Sequence, residues 1–123
     1  MTQILNLTQH DATPDQIAAG VVEPADKAEI RKVITFDDLP SREHLLATAD
    51  LLAGLAERME MSAAMIGGAP FFMGPLERAL RARGIVPLYA FSKREASIYT
   101  HRPDGSVGKT QVFRHVGFVE AAN

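Results

Sequence analysis

The sequence predicts an α/β fold: a three-layer Rossmann-like sandwich whose sheet is mainly parallel and closes on a C-terminal antiparallel β-hairpin. Three observations carry this expectation. Short apolar runs alternate with helix-like segments, an order that needs crossover connections and therefore parallel strands. Three of those runs lead directly into polar or glycine-rich segments: Asn6-Leu7-Thr8-Gln9-His10, Gly67-Gly68-Ala69-Pro70 and Ser92-Lys93-Arg94-Glu95. After Glu95 the pattern changes to two strand-like stretches around Arg102-Pro103-Asp104-Gly105, a turn signal.

Taken in order, Ile4 to Leu7 reads as a short buried strand. Thr13-Pro14-Asp15 then opens a helix, with Thr as N-cap, Pro at the first helical position and an acid in the first turn, and Gly20 stops it. Val21 to Ala28 is a polar connection around Pro24 with room for one more short strand. Arg31 to Phe36 is β-branched enough to read as a second strand. Ser41 caps a helix from Arg42 to Arg58, where Leu45, Ala49, Leu52 and Ala56 form a core-facing stripe.

Ala63 to Ile66 is apolar on both faces, as a central parallel strand should be. The glycine-rich loop from Gly67 to Gly74 leads to a helix starting at Pro75 and ending at Gly84. Val86 to Phe91 is the fourth strand, and Ser97 to His101 with Lys109 to Val119 make the hairpin. Right-handed crossovers give the central order 2-1-3-4 and a topological switch point between strands one and three. All three polar segments would then emerge at one sheet edge, where open α/β folds hold ligands.

Bulk properties narrow the function classes. The 123 residues suit one domain, residues 1–123, without linker or repeat. A net charge of −2 gives no global field to recruit duplex DNA or an anionic membrane, so any anion needs a local site. Cysteine is absent, which excludes disulfides and thiol chemistry, and the four histidines show no metal-type spacing. No metal and no cofactor is expected. No stretch approaches the ~20 apolar residues of a membrane span, and no export signal leads the chain, so the expected location is the cytoplasm.

The candidate site residues follow from the three segments. Thr8, Gln9 and His10 supply a hydroxyl, an amide and an imidazole able to contact ribose or phosphate, and His10 could move a proton near neutral pH. Equally, Asn6 and Thr8 could satisfy backbone groups, with His10 an exposed turn residue. Gly67, Gly68 and Ala69 allow close backbone approach before a helix N-terminus, which suits phosphate. The spacing matches neither a dinucleotide fingerprint nor a P-loop, so a plain tight turn is the competing reading. Phe71 could stack on a base or cover core. Ser92, Lys93 and Arg94 would bring cations to phosphate oxygens, or form a solvated turn. Arg114 and His115 either face the same cleft or lie on the hairpin's wet face.

Four stretches together resemble small single-domain Rossmann-like proteins found near CRISPR loci and in phages, similar to the CRISPR-associated Rossmann-fold (CARF) domains. They are Ile4 to His10, Met65 to Phe71, Gly84 to Glu95 and Val112 to Phe118. The resemblance implies a homodimer, or higher homo-oligomer, that binds a nucleotide second messenger such as a cyclic oligonucleotide. It places Thr8 and His10 as polar contacts, Gly67 and Gly68 as backbone phosphate holders, and Lys93 or Arg94 beside the scissile group. Related sequences tend to carry Ser-Asn-His where this chain has Thr8-Gln9-His10, and a polar or acidic residue after the glycine where it has Gly68-Ala69-Pro70. Those departures weigh against cleavage more than against binding.

Three functions compete. The first is a messenger-binding sensor or anti-defence sponge. The second is a metal-independent ring nuclease with His10 and Lys93 as catalytic candidates, in which the messenger's own 2′-OH attacks. The third is a non-catalytic dimerising scaffold.

Overall fold

The computed structural model describes residues 3–122. Its strands form one five-stranded sheet in the order β2-β1-β3-β4-β5. β1 (Ile4–Leu7) lies parallel to both β2 (Val21–Val22) and β3 (Ala63–Ile66), and β3 lies parallel to the start of β4 (Val86–His101). β5 (Val107–Glu120) runs antiparallel to β4 and forms the sheet's edge. The expected switch point therefore exists. The chain leaves β1 for β2 on one side and returns to β3 on the other.

Alternation along the strands divides the core. Leu5, Leu7, Ala64 and Ile66 point into the main cluster, where they meet Ile30, Leu52, Ala56, Phe72, Leu76 and Leu80 from the helices. Ile4, Ala63 and Met65 point the other way and form a smaller cluster with Val21, against which Ala12, Leu88 and Phe118 pack. The central strands are thus buried on both faces, which is why they read as unbroken apolar runs.

Two helices begin as their sequences require. In α1 (Pro14–Ala18) the Thr13 hydroxyl accepts from the Gln16 N–H at 3.2 Å, and the Gln16 amide oxygen accepts from the Thr13 N–H at 3.0 Å. This is a capping box. In α3 (Arg42–Arg58) Ser41 accepts from the His44 N–H, and Ala49, Leu52 and Ala56 are buried as the stripe predicted.

Three local expectations are corrected. Arg31 to Phe36 is not a strand: α2 occupies Lys27–Val33. Asp26 caps it by accepting from the Glu29 N–H at 3.1 Å, and Arg31 and Lys32 complement its C-terminal dipole. Ile30 and Ile34, four residues apart, both reach the main core, so helical burial overrides the β-branched propensity. The strand beside β1 is instead the two-residue β2.

The last helix also starts earlier than expected. α4 spans Pro70–Ala82, with Pro70 at its first position and Pro75 inside it. An interior proline costs about 3 kcal/mol. Phe72, Met73, Leu76 and Leu80 are all buried along this helix, and burying one such side chain recovers about 1.5–3 kcal/mol. The loop shrinks to Gly67-Gly68-Ala69.

Finally, Val86 to Phe91 is not a complete strand. β4 continues without a break through Ser92-Lys93-Arg94-Glu95 to His101, because β5 pairs with it from Leu88 out to His101. Ser92 faces His115, Lys93 faces Arg114 and Arg94 faces Phe113, with register shifts at Phe91/Ser92 and Arg94/Ala96. The turn at its tip is as expected. Gly105 has φ +87°, its N–H donates to the Arg102 carbonyl, and the Asp104 carboxylate accepts from the Ser106 N–H and hydroxyl.

Candidate functional site

A hollow of about 340 Å³ opens where β1 and β3 end, at the switch point. Thr8, Gln9, His10, Gly67 and Gly68 line it, as does Tyr89 from β4. Ligand sites in open α/β sheets occupy this position because neighbouring crossovers part there.

One buried residue organises the first wall. Asn6 is 0 % exposed, yet its side chain uses all of its hydrogen-bonding capacity. Nδ2 donates to the His10 carbonyl at 2.8 Å and to Glu23 Oε1 at 2.6 Å. Oδ1 accepts from the Thr8 N–H at 3.0 Å and the Thr8 hydroxyl at 2.7 Å. The loop after β1 is thereby bent around an amide.

Helix α2 clamps the same loop from outside. Lys27 Nζ donates to the Thr8 carbonyl at 2.6 Å and lies 3.6 Å from Glu23 Oε1. Burial lowers the Lys27 ammonium below its ordinary value, while Glu23 pulls it back up. Arg31 Nε donates to the Gln9 carbonyl at 2.8 Å, and its guanidinium meets Asp11 at 3.1 Å. Gln9 in turn donates to Thr35 Oγ1 at 3.0 Å. The backbone of 8–11 is held while the His10 side chain stays exposed.

The second wall is the turn from β3 into α4. Gly68 has φ +137°, a conformation other residues adopt only with strain, so glycine is required there. Gly67 has no such need. A Cβ added at Gly67 would only touch Thr8 Cγ2 at 3.7 Å. No side chain caps α4, which three residues, Gly67, Gly68 and Ala69, separate from β3.

Tyr89 supplies the third wall. Its hydroxyl donates to Glu77 Oε2 at 2.6 Å, and burial together with that carboxylate pushes the phenol well above its ordinary value. Tyr89 therefore stays protonated and presents a ring held from behind by α4.

The structure thus gathers five of the anticipated site residues, Thr8, Gln9, His10, Gly67 and Gly68, at one hollow. The others lie elsewhere. Ala69 packs against the main core as the N-cap of α4. Phe71 meets the Phe36 ring at 5.3 Å, edge to face, beyond the hollow's lining. Ser92, Lys93 and Arg94 lie on β4 past Tyr89 and Ala90 and do not line it. Arg114 pairs with Glu95 at 3.2 Å, and the His115 ring rests on Phe118 at 4.8 Å.

No Lys or Arg is among the residues lining the hollow. Sequence reasoning missed Glu23, Lys27 and Arg31, because their stretch read as a loop and a strand. It also missed Tyr89, an apolar-run residue whose only polar signal was its hydroxyl.

A family model described as the uncharacterized protein MJ1673 family matches residues 2–119 of the chain. No curated protein and no solved structure matches it.

Proposed function

We propose that this chain, which belongs to the MJ1673 family, binds a nucleotide-derived messenger in the hollow between the ends of β1 and β3. The observation that carries the reading is the convergence of His10, Gln9 and the Gly67-Gly68 backbone on that hollow, beside an uncapped helix start. Backbone amides and an imidazole can hold phosphate oxygens, and the Tyr89 ring offers a face for a base or sugar. A volume of about 340 Å³ lies at the low end of the ~300–1,000 Å³ usual for ligand pockets, so one nucleotide unit fits each copy. A cyclic oligonucleotide would span the hollows of two copies, in keeping with the CARF-like resemblance and its Rossmann-like dimer.

Binding is favoured over ring-nuclease cleavage by one feature. Phosphodiester cleavage builds negative charge that a positioned cation would stabilise, and Lys93 and Arg94 stand outside the lining. The role that follows is a sensor or sponge for a defence messenger.

A thermal-shift panel of cyclic di-, tri- and tetranucleotides and ADP-ribose derivatives tests this. A true ligand at a hundredfold over its dissociation constant stabilises by about 2.7 kcal/mol. His10→Ala, at an exposed side chain, should keep the apo melting temperature and lose the shift. Chromatography of recovered ligand separates intact from linear product. If no member of the panel shifts the wild type, the reading fails.

A further inference from the structure

The β4–β5 pair is far longer than the sheet that supports it. β3 pairs with β4 only from Val86 to Leu88, whereas β4 and β5 stay paired out to His101 and Val107. Residues 91–101 and 107–117 therefore form a two-stranded arm about 35 Å long. Two-stranded ribbons are marginal in water by themselves.

The arm is also apolar where it should not be. Phe91, Ile98, Tyr99, Val107, Phe113 and Val116 are each more than half exposed. Neighbours such as Ile98 and Tyr99 point to opposite faces, so neither face is purely a solvent face. β5 is the sheet edge, and β4 has no partner on its other side beyond Leu88 among the described residues. Natural proteins rarely leave such an edge and such a surface uncovered.

We propose that the arm is covered by the body of a second copy of this chain, each arm reaching across to the other copy in a reciprocal dimer. Charge selects the occupant. From Val86 to Glu120 five cations (Lys93, Arg94, Arg102, Lys109, Arg114) stand against three acids (Glu95, Asp104, Glu120). The rest of the chain holds eight cations against twelve acids. A basic arm repels another arm and attracts an acidic body.

Size agrees. The arm offers about 22 residues, and a stable interface uses about 20–30 a side. The body also has a receiving surface that its own chain leaves open. A groove of about 380 Å³ runs between α2 and α3, walled by Ile30, Leu51 and Leu55, with Asp26, Glu29 and Arg58 at its rim. Arm-into-groove contacts made twice about a two-fold axis close the assembly and prevent open fibres. The inference is independent of what the hollow binds.

Light scattering on a sizing column at micromolar protein tests it, alongside circular dichroism for the fold. The wild type should run at twice 13.4 kDa. Ile98→Asp with Phe113→Asp on the arm, and separately Leu51→Asp in the groove, should each raise the dimer dissociation constant at least a hundredfold. All three positions are exposed in one copy, so the body should fold in each variant. A wild type that stays monomeric at high concentration, or arm variants that stay dimeric, would overturn the dimer. A Leu51→Asp protein that dimerises normally would overturn the groove as receiver. A monomer whose arm instead retains an anionic polymer such as RNA would also overturn it.

Discussion

Asn6 shows how much of the candidate site rests on one side chain. Its amide closes four hydrogen bonds, to Thr8 twice, to His10 and to Glu23. Asn6→Ala takes the partner from the half-buried Thr8 N–H and opens a void at a fully buried position, while the exposed Glu23 keeps Lys27 and the Ala12 N–H. Losing such a partner costs about 1–3 kcal/mol. We expect about 2–4 kcal/mol of destabilisation in urea unfolding, with loss of any ligand-induced shift in the survivors. Tyr89 makes a second residue-level prediction, in alkali. Its phenol is raised above 10.0 by burial and by Glu77, so the unfolded chain releases a proton that the folded chain keeps. The stabilisation is complete below about pH 10 and falls as pH rises further. Lys27, lowered from 10.5 by burial, contributes in the opposite sense, and does so below about pH 10.5 rather than above pH 10. Comparing Tyr89→Phe with the wild type between about pH 9 and 11 isolates the phenol. The variant's stability should fall less steeply with pH.

At the scale of elements, α4 sets a strong apolar face against an interior proline. Pro75 has no N–H for the Phe71 carbonyl, yet the helix runs from Pro70 to Ala82 because Phe72, Leu76 and Leu80 enter the core. Pro75→Ala restores the missing bond but frees the unfolded chain. Weighing about 3 kcal/mol for the helix against up to about 1 for the unfolded state gives a net gain of about 2–3 kcal/mol. A rise in the urea midpoint with an unchanged slope checks it. The same competition explains α2, where Ile30 and Ile34 fit a helical face although their β-branched shape suggests a strand. In both cases the local signal was real and a tertiary contact outweighed it.

Across the whole molecule, the parallel centre and the switch point were legible because β1 and β3 are buried on both faces and display that as continuous apolar runs. The caps at Thr13 and Ser41 and the turn at Gly105 were legible because each is a bond between near neighbours. The sharing of one hollow by His10 and Gly68 followed from topology alone. The course of residues 92–95 did not. A charged stretch after an apolar strand looks like a loop until a partner strand is known to lie beside it, and that partner begins only at Val107. What the chain determined alone is therefore its locally bonded caps and turns, its central strands and the place where they part. What only tertiary structure decided is which propensities yield: long-range pairing drew Lys93 and Arg94 into an arm, and shared burial made a helix of Lys27–Val33, because contacts distant in sequence carry most of the free energy and leave no local trace.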